Sequence, residues 1–538
     1  MRMRSTTRAV VLAGALGVLA LSGCGSGGND SPTGTQPADG SVPATKPVRD
    51  GGTLRVGLTA EPDYIDPARM QSLDSWQVLT AMCEGLYKIG ARGQAVPQLA
   101  VGAPRVSKDG LTATIKLRDG VQFNDGTPFD ARAVKLSLER NGRTSVLFQG
   151  NGIERIDAPA DDTVVLHLAR PYAPLEGDLA GPGGMIGSPK QIAALGDKFG
   201  DRPVCVGPFE WVSRRGGDSI RLRRSDVYYD KENVHLDGLD FKVIPDTNAR
   251  GVSLRAGEID IAAEPPEPGA LKSDSNLDVT TITGAGWKGL YVNVGNVDGA
   301  GKPPKPRDTP LSTSAEARQA LSLAIDRQAL INLTSGDGSA PACSAIPPSS
   351  PFYDDPPCPQ KADPDAARAL LERAGVRTPV KGTMVVAGSP EETRTAQAVQ
   401  GMARDAGFDF EIETCDVATC IRRLLAGDFD VTLGGFDGVV DPDQSLSPFV
   451  ASTGGFNFVG ESDAELDRLL ASARAESTDV DARRKLYRQA LDRIRERAAL
   501  IVFYNTGSSA AARKNVSGYV LTPSVLLDYK QAGFTTGP

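Results

Sequence analysis

The chain of 538 residues contains few of the side chains on which metal, redox or nucleophilic chemistry depends. It has two histidines, His167 and His235, and no pair of cysteines separated by two residues, the spacing typical of zinc and redox sites. The Gly-x-Ser-x-Gly motif of many serine hydrolases is absent, and neither histidine has a context that suggests a catalytic triad. We therefore expect no metal site, no cofactor and no catalysed reaction.

The chain also lacks any block of lysine and arginine, and no segment after the first 23 residues is long and apolar enough to cross a bilayer. Its 59 basic and 67 acidic residues give a net charge of −8. Because nucleic acids and anionic membrane surfaces attract basic patches, this composition argues against both as partners. Beyond its N-terminus, the chain is expected to be a soluble body.

The N-terminus carries the features of a secretory signal that ends at a lipid attachment site. Three arginines precede residue 9, an apolar run covers residues 9–20, and Leu-Ser-Gly at 21–23 leads to Cys24. This arrangement resembles the bacterial lipobox, whose cysteine becomes the acylated N-terminus of the mature protein. The alternative is an ordinary signal peptide with an incidental cysteine. We predict cleavage after residue 23, lipidation of Cys24, and a location on the extracellular face of the cell membrane.

Residues 24–51 read as a linker between this anchor and a folded body. They are rich in Gly, Ser, Pro, Thr and Asp and offer almost nothing to bury. Such a segment cannot offset its ordering entropy, so we expect a flexible linker. About 485 residues follow, which is more than one hydrophobic core usually organises, so two or three lobes are expected.

Six cysteines remain after Cys24, an even number that suggests disulfides outside the cell. Six cysteines allow 15 connectivities, and the sequence does not choose among them. We favour the two local pairs, which leaves a third pair of distant partners. The favoured pairs are Cys343 with Cys358, Cys415 with Cys420, and Cys83 with Cys205.

Helical and strand signals alternate along the body without a repeat. Capping boxes at residues 313–316 and 462–465 predict helix starts, and residues 481–499 read as a charged helix. Strand runs at 384–387, 429–433 and 500–503 fall between such helices. The second half therefore looks like α/β structure.

Six segments, in order, resemble the extracellular solute-binding proteins of the peptide/nickel ABC importer family. The most specific of them, residues 115–129, reads physically as a strand end followed by Asp-Gly turns, so we assign it to the scaffold and not to solute contact. The segments are 51–57 (GGTLRVG), 115–129 (IKLRDGVQFNDGTPF), 206–209 (VGPF), 239–246 (LDFKVIPD), 256–260 (AGEID) and 318–327 (RQALSLAIDR).

The resemblance implies an α/β fold of the periplasmic-binding-protein type, with two α/β lobes joined by a hinge and a smaller inserted lobe. Solute would be enclosed between the first and second lobes. The implied division is 1–23 signal peptide, 24–51 linker, 52–93 first lobe, 94–202 inserted lobe, 203–291 first lobe, 292–503 second lobe and 504–538 first lobe.

Residues 284–289 spell the Gly-x-Gly-x-x-Gly pattern of dinucleotide sites. That pattern binds phosphate only where a strand precedes it and a helix follows, whereas residues 290–294 read as a strand. We reject the nucleotide interpretation. Trp287, Tyr291 and Asn293, at the crossing between lobes, are instead candidates for lining the cleft, with packing as the alternative.

The stretch 435–443, Gly-Phe-Asp-Gly-Val-Val-Asp-Pro-Asp, bears most directly on the solute. In the family, peptide-binding members tend to have a tryptophan here and an aspartate three positions before Asp-Pro, which pairs with the peptide's amino terminus. In this chain Gly438 holds that position, Asp437 is one residue out of register and Phe436 is the nearest aromatic. The solute is therefore either a peptide or another small polar molecule.

From these positions we expect aromatic side chains to supply apolar contact and Asp437 or Asp441, with Asn293, to orient polar groups. Asp441 and Asp443 have an alternative role as caps of a turn around Pro442, and we favour that role for Asp443. The candidate solute contacts are Trp287, Tyr291, Asn293, Phe436, Asp437, Asp441 and Tyr504.

The sequence thus predicts a lipid-anchored, monomeric substrate-binding component of an ABC importer. It would deliver a peptide or other small polar solute to a permease whose ATPase subunits perform the work. A ligand sensor that presents its closed form to a membrane receptor is the main alternative, and an extracellular hydrolase is a weaker one.

Overall fold

The structure, a computed structural model, describes residues 47–145, 151–265, 268–334, 338–354, 356, 358–359, 361–436, 438 and 441–536. The signal sequence, Cys24, most of the linker and Asp437 lie outside the described residues. The predictions made for them are therefore not tested by the structure.

Strands run through the whole described part of the chain. They are β1 (Val48–Arg49), β2 (Thr53–Leu58), β3 (Tyr87–Ile89), β4 (Ala95–Pro97), β5 (Arg105–Val106), β6 (Thr112–Lys116), β7 (Ile153–Ala160), β8 (Thr163–Leu168), β9 (Phe209–Arg215), β10 (Ser219–Arg224), β11 (Gly238–Val243), β12 (Ile261–Ala263), β13 (Leu277–Val292), β14 (Ala340–Pro341), β15 (Val380–Ala387), β16 (Phe408–Cys415), β17 (Val431–Phe436), β18 (Leu500–Arg513), β19 (Val516–Ser517), β20 (Val520–Leu521), β21 (Leu527–Asp528) and β22 (Gly533–Thr535).

Helices alternate with these strands. They are α1 (Leu73–Met82), α2 (Ala131–Thr144), α3 (Leu175–Ala180), α4 (Pro189–Leu195), α5 (Thr247–Ala256), α6 (Pro268–Leu271), α7 (Pro310–Thr313), α8 (Ala315–Leu323), α9 (Arg327–Leu333), α10 (Pro364–Arg373), α11 (Pro390–Asp405), α12 (Val417–Ala426), α13 (Pro442–Val450), α14 (Ala464–Ala475) and α15 (Val480–Arg497), with 3₁₀ turns at Pro182–Gly184, Gly196–Asp201 and Lys231–Asn233.

One mixed sheet of eleven strands forms the frame of the described chain, in the order β16-β15-β17-β13-β18-β12-β2-β11-β10-β9, with β14 paired to β18. Strand β2 runs parallel to β11 and β12 on one side, and β15 runs parallel to β16 and β17 on the other. The long antiparallel strands β13 and β18 lie in the middle and join the two halves. Any rotation of one half against the other must therefore bend or twist these two strands.

The middle of the β13–β18 pair is irregular. The register shifts between Thr283 and Trp287, and a Cβ added at Gly284 would lie 2.7 Å from the carbonyl oxygen of Thr506. Glycine permits this close backbone approach. The Gly-x-Gly-x-x-Gly pattern at 284–289 thus lies inside a strand and precedes no helix.

Helices cover both faces of the C-terminal half of the sheet. Successive side chains of a strand point to opposite faces. Accordingly, Ile501 packs with α8, α9, α10 and α11 in one core, while its neighbour Val502 packs with α13, α14 and α15 in another. Helix α13 thus lies on the face of Val502, and its Gln444 contacts Asp178 of the N-terminal part of the chain.

A separate four-stranded sheet, of order β5-β6-β8-β7, lies within the segment predicted as the inserted lobe. Helix α2 begins after Asp130, whose carboxylate accepts hydrogen bonds from the backbone N–H groups of Arg132 and Ala133. It buries Val134 and Leu138, four residues apart and hence on one face, in the core that it shares with this sheet. His167 is an ordinary residue of β8.

The 115–129 signature forms turns, as expected from its sequence. Gly120 and Gly126 have φ values of 69° and 79°, in the left-handed region that favours glycine. The Asp125 carboxylate accepts hydrogen bonds from the Thr127 N–H at 3.0 Å and from the Ser188 hydroxyl at 2.7 Å. The signature therefore supports the scaffold through one hydrogen bond within its own turn and one to Ser188, which lies 63 residues further along the chain.

The three favoured disulfides are present. Cys83–Cys205 closes a span of 122 residues, Cys343–Cys358 one of 15 and Cys415–Cys420 one of 5. No helix among the described residues combines the length and apolar character needed to cross a membrane.

Candidate functional site

A cavity of about 620 Å³ lies between two parts of the chain that are far apart in sequence. Its N-terminal wall comprises Trp76 of α1, Ile89 of β3 and residues between Arg170 and Gly183. Its C-terminal wall comprises Phe436 at the end of β17 and residues of α13, α14 and the loop between them. This size falls within the range of about 300–1,000 Å³ that is usual for small-molecule sites.

Apolar surface in the cavity comes from both walls. Trp76 and Ile89 provide it on the N-terminal wall, and Phe436, Pro448 and Leu470 provide it on the C-terminal wall. The side chain of Trp76 is only partly buried and packs at the edge of the N-terminal core. The cavity can therefore hold the apolar part of a solute from two sides.

Asp178 of α3 is a buried carboxylate of the N-terminal wall. Its Oδ2 accepts a hydrogen bond from the Tyr172 hydroxyl at 2.9 Å, and its Oδ1 accepts one from the Gln444 amide of the opposite wall. Burial raises the pKa of the Asp178 carboxyl to about 8, and the nearby carboxylates of Asp441 and Asp443 act in the same direction. Burial at this position therefore disfavours the ionised form of Asp178.

Asp443 is the corresponding carboxylate of the C-terminal wall, on the first turn of α13. It accepts a hydrogen bond from the Ser447 hydroxyl at 2.6 Å and forms an ion pair with Arg474 of α14 at 2.8 Å. Sequence reasoning expected Asp443 to cap the turn around Pro442, but the cap is Asp441. The side chain of Asp443 lines the cavity instead.

Asp441 lies behind the cavity in a buried ion pair. Its oxygens accept two hydrogen bonds from the guanidinium of Arg483, at 2.7 and 2.8 Å, and one from the N–H of Asp443. Burial alone would lower the pKa of Arg483, but the facing Asp441 carboxylate raises it above its usual value. Asp441 therefore fixes the start of α13 and does not line this cavity.

The two walls touch each other directly. Besides the bond between Gln444 and Asp178, the backbone N–H of Ala173 donates to the carbonyl of Arg474 at 2.8 Å. These contacts join residues more than 260 positions apart in the chain. Asp178, Gln444 and Arg474 line the cavity, so these contacts link its two walls.

The predicted aromatic residues come together, but they do not all reach the cavity. Trp287, Tyr291 and Phe436 surround Phe449, with ring centroids 5.6, 6.5 and 5.2 Å from it. Trp287 and Tyr291 are buried, and only Phe436 lines the cavity. In this structure the first two support Phe436 from behind.

Asn293 and Tyr504 lie away from the cavity. The side-chain amide of Asn293 is fully buried and contacts the backbone carbonyls of Asn296, Gly427 and Phe429 at 2.8–3.1 Å. The hydroxyl of Tyr504 lies 3.5 Å from that of Thr334. A direct solute contact for these two residues stays a prediction.

Gly438 lies three residues before Asp441, at the position where an aspartate would have indicated peptide binding. Its φ is +84°, and a Cβ at this position would lie 2.2 Å from the backbone carbonyl of Ala285. Real Cβ atoms do not approach a backbone so closely. No side chain, and hence no carboxylate, fits at position 438 without moving the backbone.

Sequence reasoning missed most of the residues that line the cavity, among them Trp76, Tyr172, Asp178, Gln444 and Arg474. No local motif marks any of them. Among the described residues, no group of three or more His, Cys, Asp or Glu side chains is arranged to hold a metal ion.

Comparison with known proteins places the chain in a family. Residues 94–457 match the model of the bacterial extracellular solute-binding proteins, family 5. The glutathione-binding protein GsiB of Pectobacterium atrosepticum is 27% identical over 495 residues, covering 88% of this chain and 92% of that protein. The oligopeptide-binding protein OppA of Bacillus subtilis is 27% identical over 516 residues, covering 88% and 89%.

The fold has close counterparts among solved structures. The ABC transporter substrate-binding protein CtaP of Listeria monocytogenes superimposes with a TM-score of 0.80 at 22% identity, covering 90% of this chain and all of that one. The multi-lobed α/β fold expected from the sequence is thereby confirmed. With the match over residues 94–457, the chain belongs to the bacterial extracellular solute-binding proteins of family 5.

Proposed function

We propose that this protein is the substrate-binding component of an ABC importer and that it captures a peptide or other small polar solute in the cavity between its two walls. The carrying observation is the cavity itself, which is lined from both halves of the chain by apolar surface and by a few converging charged groups. Two relatives are named for glutathione and for oligopeptides, which supports a peptide-like solute.

Binding in this position would favour the closed form of the protein. A ligand shifts a conformational equilibrium only by its difference in affinity for the two states. A solute that contacts Trp76 on one wall and Phe436 on the other makes both contacts only when the walls are close. The crossing strands β13 and β18 are the elements that would bend, and the closed form would dock on the permease without any chemical change to the solute.

If the protein has this function, solute binding should make the protein more compact, and solute affinity should depend on residues that line the cavity. Small-angle X-ray scattering should give a smaller radius of gyration at saturation with a bound peptide than without it. Trp76→Ala should weaken binding at least about tenfold, because a buried aromatic contact is worth on the order of 1.5–3 kcal/mol. Tyr64→Ala is the matched control, since Tyr64 is 43% exposed in the same half of the chain and does not line the cavity.

Two results together would contradict the proposed site. One is an unchanged radius of gyration at saturation, and the other is equal solute affinity in the Trp76→Ala and Tyr64→Ala variants. Native mass spectrometry of the protein purified from its own host would supply the solute for these measurements.

We further propose that Cys24 anchors the protein to the outer face of the membrane. The proposal is supported by the N-terminal sequence alone, in which a signal-like segment ends in Leu-Ser-Gly-Cys. Two acyl chains on one residue suffice for stable anchoring, at about 0.8 kcal/mol per buried CH₂ group. Cys24→Ser should release the protein into the soluble fraction, and unchanged membrane retention would contradict the anchor.

A further inference from the structure

We propose that Asp178 forms a proton-dependent latch with helix α13, which holds the two walls of the cavity together while its carboxyl group is neutral and weakens when that group ionises. The inference goes beyond the proposed function, because it concerns how the walls meet without the help of a solute. Closure of the cavity would then depend on the acidity of the surrounding medium.

Two hydrogen bonds join the walls at this point. The side-chain amide of Gln444 in α13 donates to Oδ1 of Asp178, and the backbone N–H of Ala173 donates to the carbonyl of Arg474 at 2.8 Å. The Tyr172 hydroxyl donates to Oδ2 of Asp178 from the same wall, at 2.9 Å. Separation of the walls breaks the first two bonds and leaves the third intact. Asp178 therefore exchanges a partner on the opposite wall for water when the cavity opens.

On the N-terminal wall, Asp178 is surrounded by groups that do not balance its charge. Among the residues that the structure describes, its hydrogen-bond donors are the neutral groups of Tyr172 and Gln444, and it forms no ion pair. Lys88 of β3, which packs against α3, is already paired with Asp528 at 2.6 Å. Other titratable groups that flank α3 or line the cavity are Tyr87, Arg170, Glu176 and Asp467.

The C-terminal wall presents two further carboxylates to Asp178. Asp441 and Asp443, at the start of α13, both disfavour its ionised form. Each of them already has an arginine partner on its own wall, Arg483 at 2.7 Å and Arg474 at 2.8 Å. An ionised Asp178 thus faces two carboxylates across the closed walls, whereas a neutral Asp178 brings no charge into the contact.

The acidity of Asp178 should therefore differ between the closed and open arrangements. Burial raises the pKa of its carboxyl to about 8 where the walls meet, and Asp441 and Asp443 act in the same direction. Separation of the walls would admit water and move these two carboxylates away, so the pKa would fall towards the ordinary value of about 3.9. The closed arrangement binds a proton at Asp178 that the open arrangement releases to the buffer.

The direction of the pH effect follows from this difference. Because the pKa is higher when the walls are together, closing takes up a proton and is favoured as the pH falls. Between about pH 4 and 8, the ratio of closed to open protein should change by up to about tenfold per pH unit. Above this range the carboxyl is ionised in both arrangements, and the ratio no longer depends on it.

The test is hydrogen–deuterium exchange of the full chain without added solute, read by mass spectrometry with electron-transfer fragmentation, which assigns exchange to single amides. The reporter is the Ala173 amide, because its hydrogen bond to Arg474 crosses the walls and is lost on opening. Protection factors, which divide out the intrinsic pH dependence of exchange, are compared at pH 5.5 and 8.5.

The wild type should protect the Ala173 amide at least about tenfold more at pH 5.5 than at pH 8.5. Asp178→Asn keeps a carbonyl acceptor for Gln444 but cannot ionise, so its protection should be high and equal at both pH values. Gln444→Ala removes the donor of α13 and should lower the protection at pH 5.5. Glu176→Gln is the matched control and should behave as the wild type, because Glu176 is another carboxyl of α3 whose pKa burial raises, but it does not line the cavity.

Wild-type protection that does not change with pH, or the same change in Asp178→Asn, would overturn the latch. If thermal melts show that Asp178→Asn does not fold, wild-type protection of the Ala173 amide in Gln444→Ala at pH 5.5 would overturn it equally. Compaction on solute binding is a separate measurement, so each of these results would leave the proposed function intact.

Discussion

The ion pair between Asp441 and Arg483 offers a direct way to separate structural from solute-binding roles in this region. Both side chains are less than 10% exposed, and the guanidinium meets the carboxylate through two hydrogen bonds. Asp441 also caps α13, the helix that carries Asp443 and Gln444 to the cavity. Replacement of Asp441 by alanine removes the charge and the cap at once.

The size of the effect follows from what Arg483 retains. Its guanidinium still donates to the carbonyl of Ala473 and the hydroxyl of Tyr487, and it lies 4.8 Å from the ring centroid of Phe352. These contacts offset part of the cost of burying the Arg483 guanidinium, but in the Asp441→Ala variant this cation has no counter-charge. Removal of one partner of a buried pair costs about 3–5 kcal/mol, and loss of a helix cap adds about 1 kcal/mol.

We therefore expect Asp441→Ala to lower the free energy of unfolding by about 4 kcal/mol, measured by urea denaturation followed by circular dichroism. Glu465→Ala is the control, because Glu465 meets Arg468 through two similar hydrogen bonds with both side chains more than half exposed. Exposed pairs contribute about 0–1 kcal/mol. A cost below 1 kcal/mol for Asp441→Ala, combined with complete loss of solute binding, would refute the structural role and favour direct solute contact.

Two further predictions concern stability. Replacement of Cys83 and Cys205 by alanine should lower the free energy of unfolding by about 5 kcal/mol, and replacement of Cys415 and Cys420 by about 2 kcal/mol. The difference arises because the stabilisation grows with loop length in the chain-entropy model. Equal losses in chemical denaturation would contradict that model here. Because the pKa of Asp178 is raised in the folded state, the solute-free wild type should lose up to about 1.4 kcal/mol of stability per pH unit between pH 4 and 8, relative to Asp178→Asn. The free energy of unfolding is measured for both proteins at pH 5, 6.5 and 8. A difference between the two proteins that does not change with pH would contradict the raised pKa.

Local structure was predictable where a local interaction determines it. The capping boxes at 313–316 and 462–465 precede α8 and α14, although the capping side chains are Ser314 and Asp463, the second residue of each box. A cap acts on N–H groups two or three residues away, so the signal lies within one short stretch of sequence. The disulfide pairs were favoured because two of them close short loops, which leaves one pairing for the rest.

The cavity was not predictable in the same way because its walls come from distant segments. Gln444 and Asp178 form a hydrogen bond across 266 residues of sequence. Nothing near Trp76 or Tyr172 in the sequence indicates that these side chains will face α13. Only the sheet order, with β2 and β17 on opposite sides of the long strands β13 and β18, brings the two walls together.

In the stretch 435–443, the residue at which helix α13 begins determines what each neighbouring side chain contacts. Sequence reasoning expected Asp437 or Asp441 to face the solute, and it favoured Asp443 as the cap of a turn around Pro442. The structure instead starts α13 at Pro442. Asp441 is then the cap, with its side chain turned back to the helix and to Arg483.

The start of α13 at Pro442 also accounts for the polar side chains on the C-terminal wall of the cavity. Residues that follow a cap take up helical spacing, in which positions four apart lie on one face. Asp443 and Ser447 are four apart, hydrogen-bond to each other and line the cavity together with Gln444. Because the helix starts at Pro442, the polar side chains of this segment that line the cavity belong to its first turns, and Asp441 is not among them.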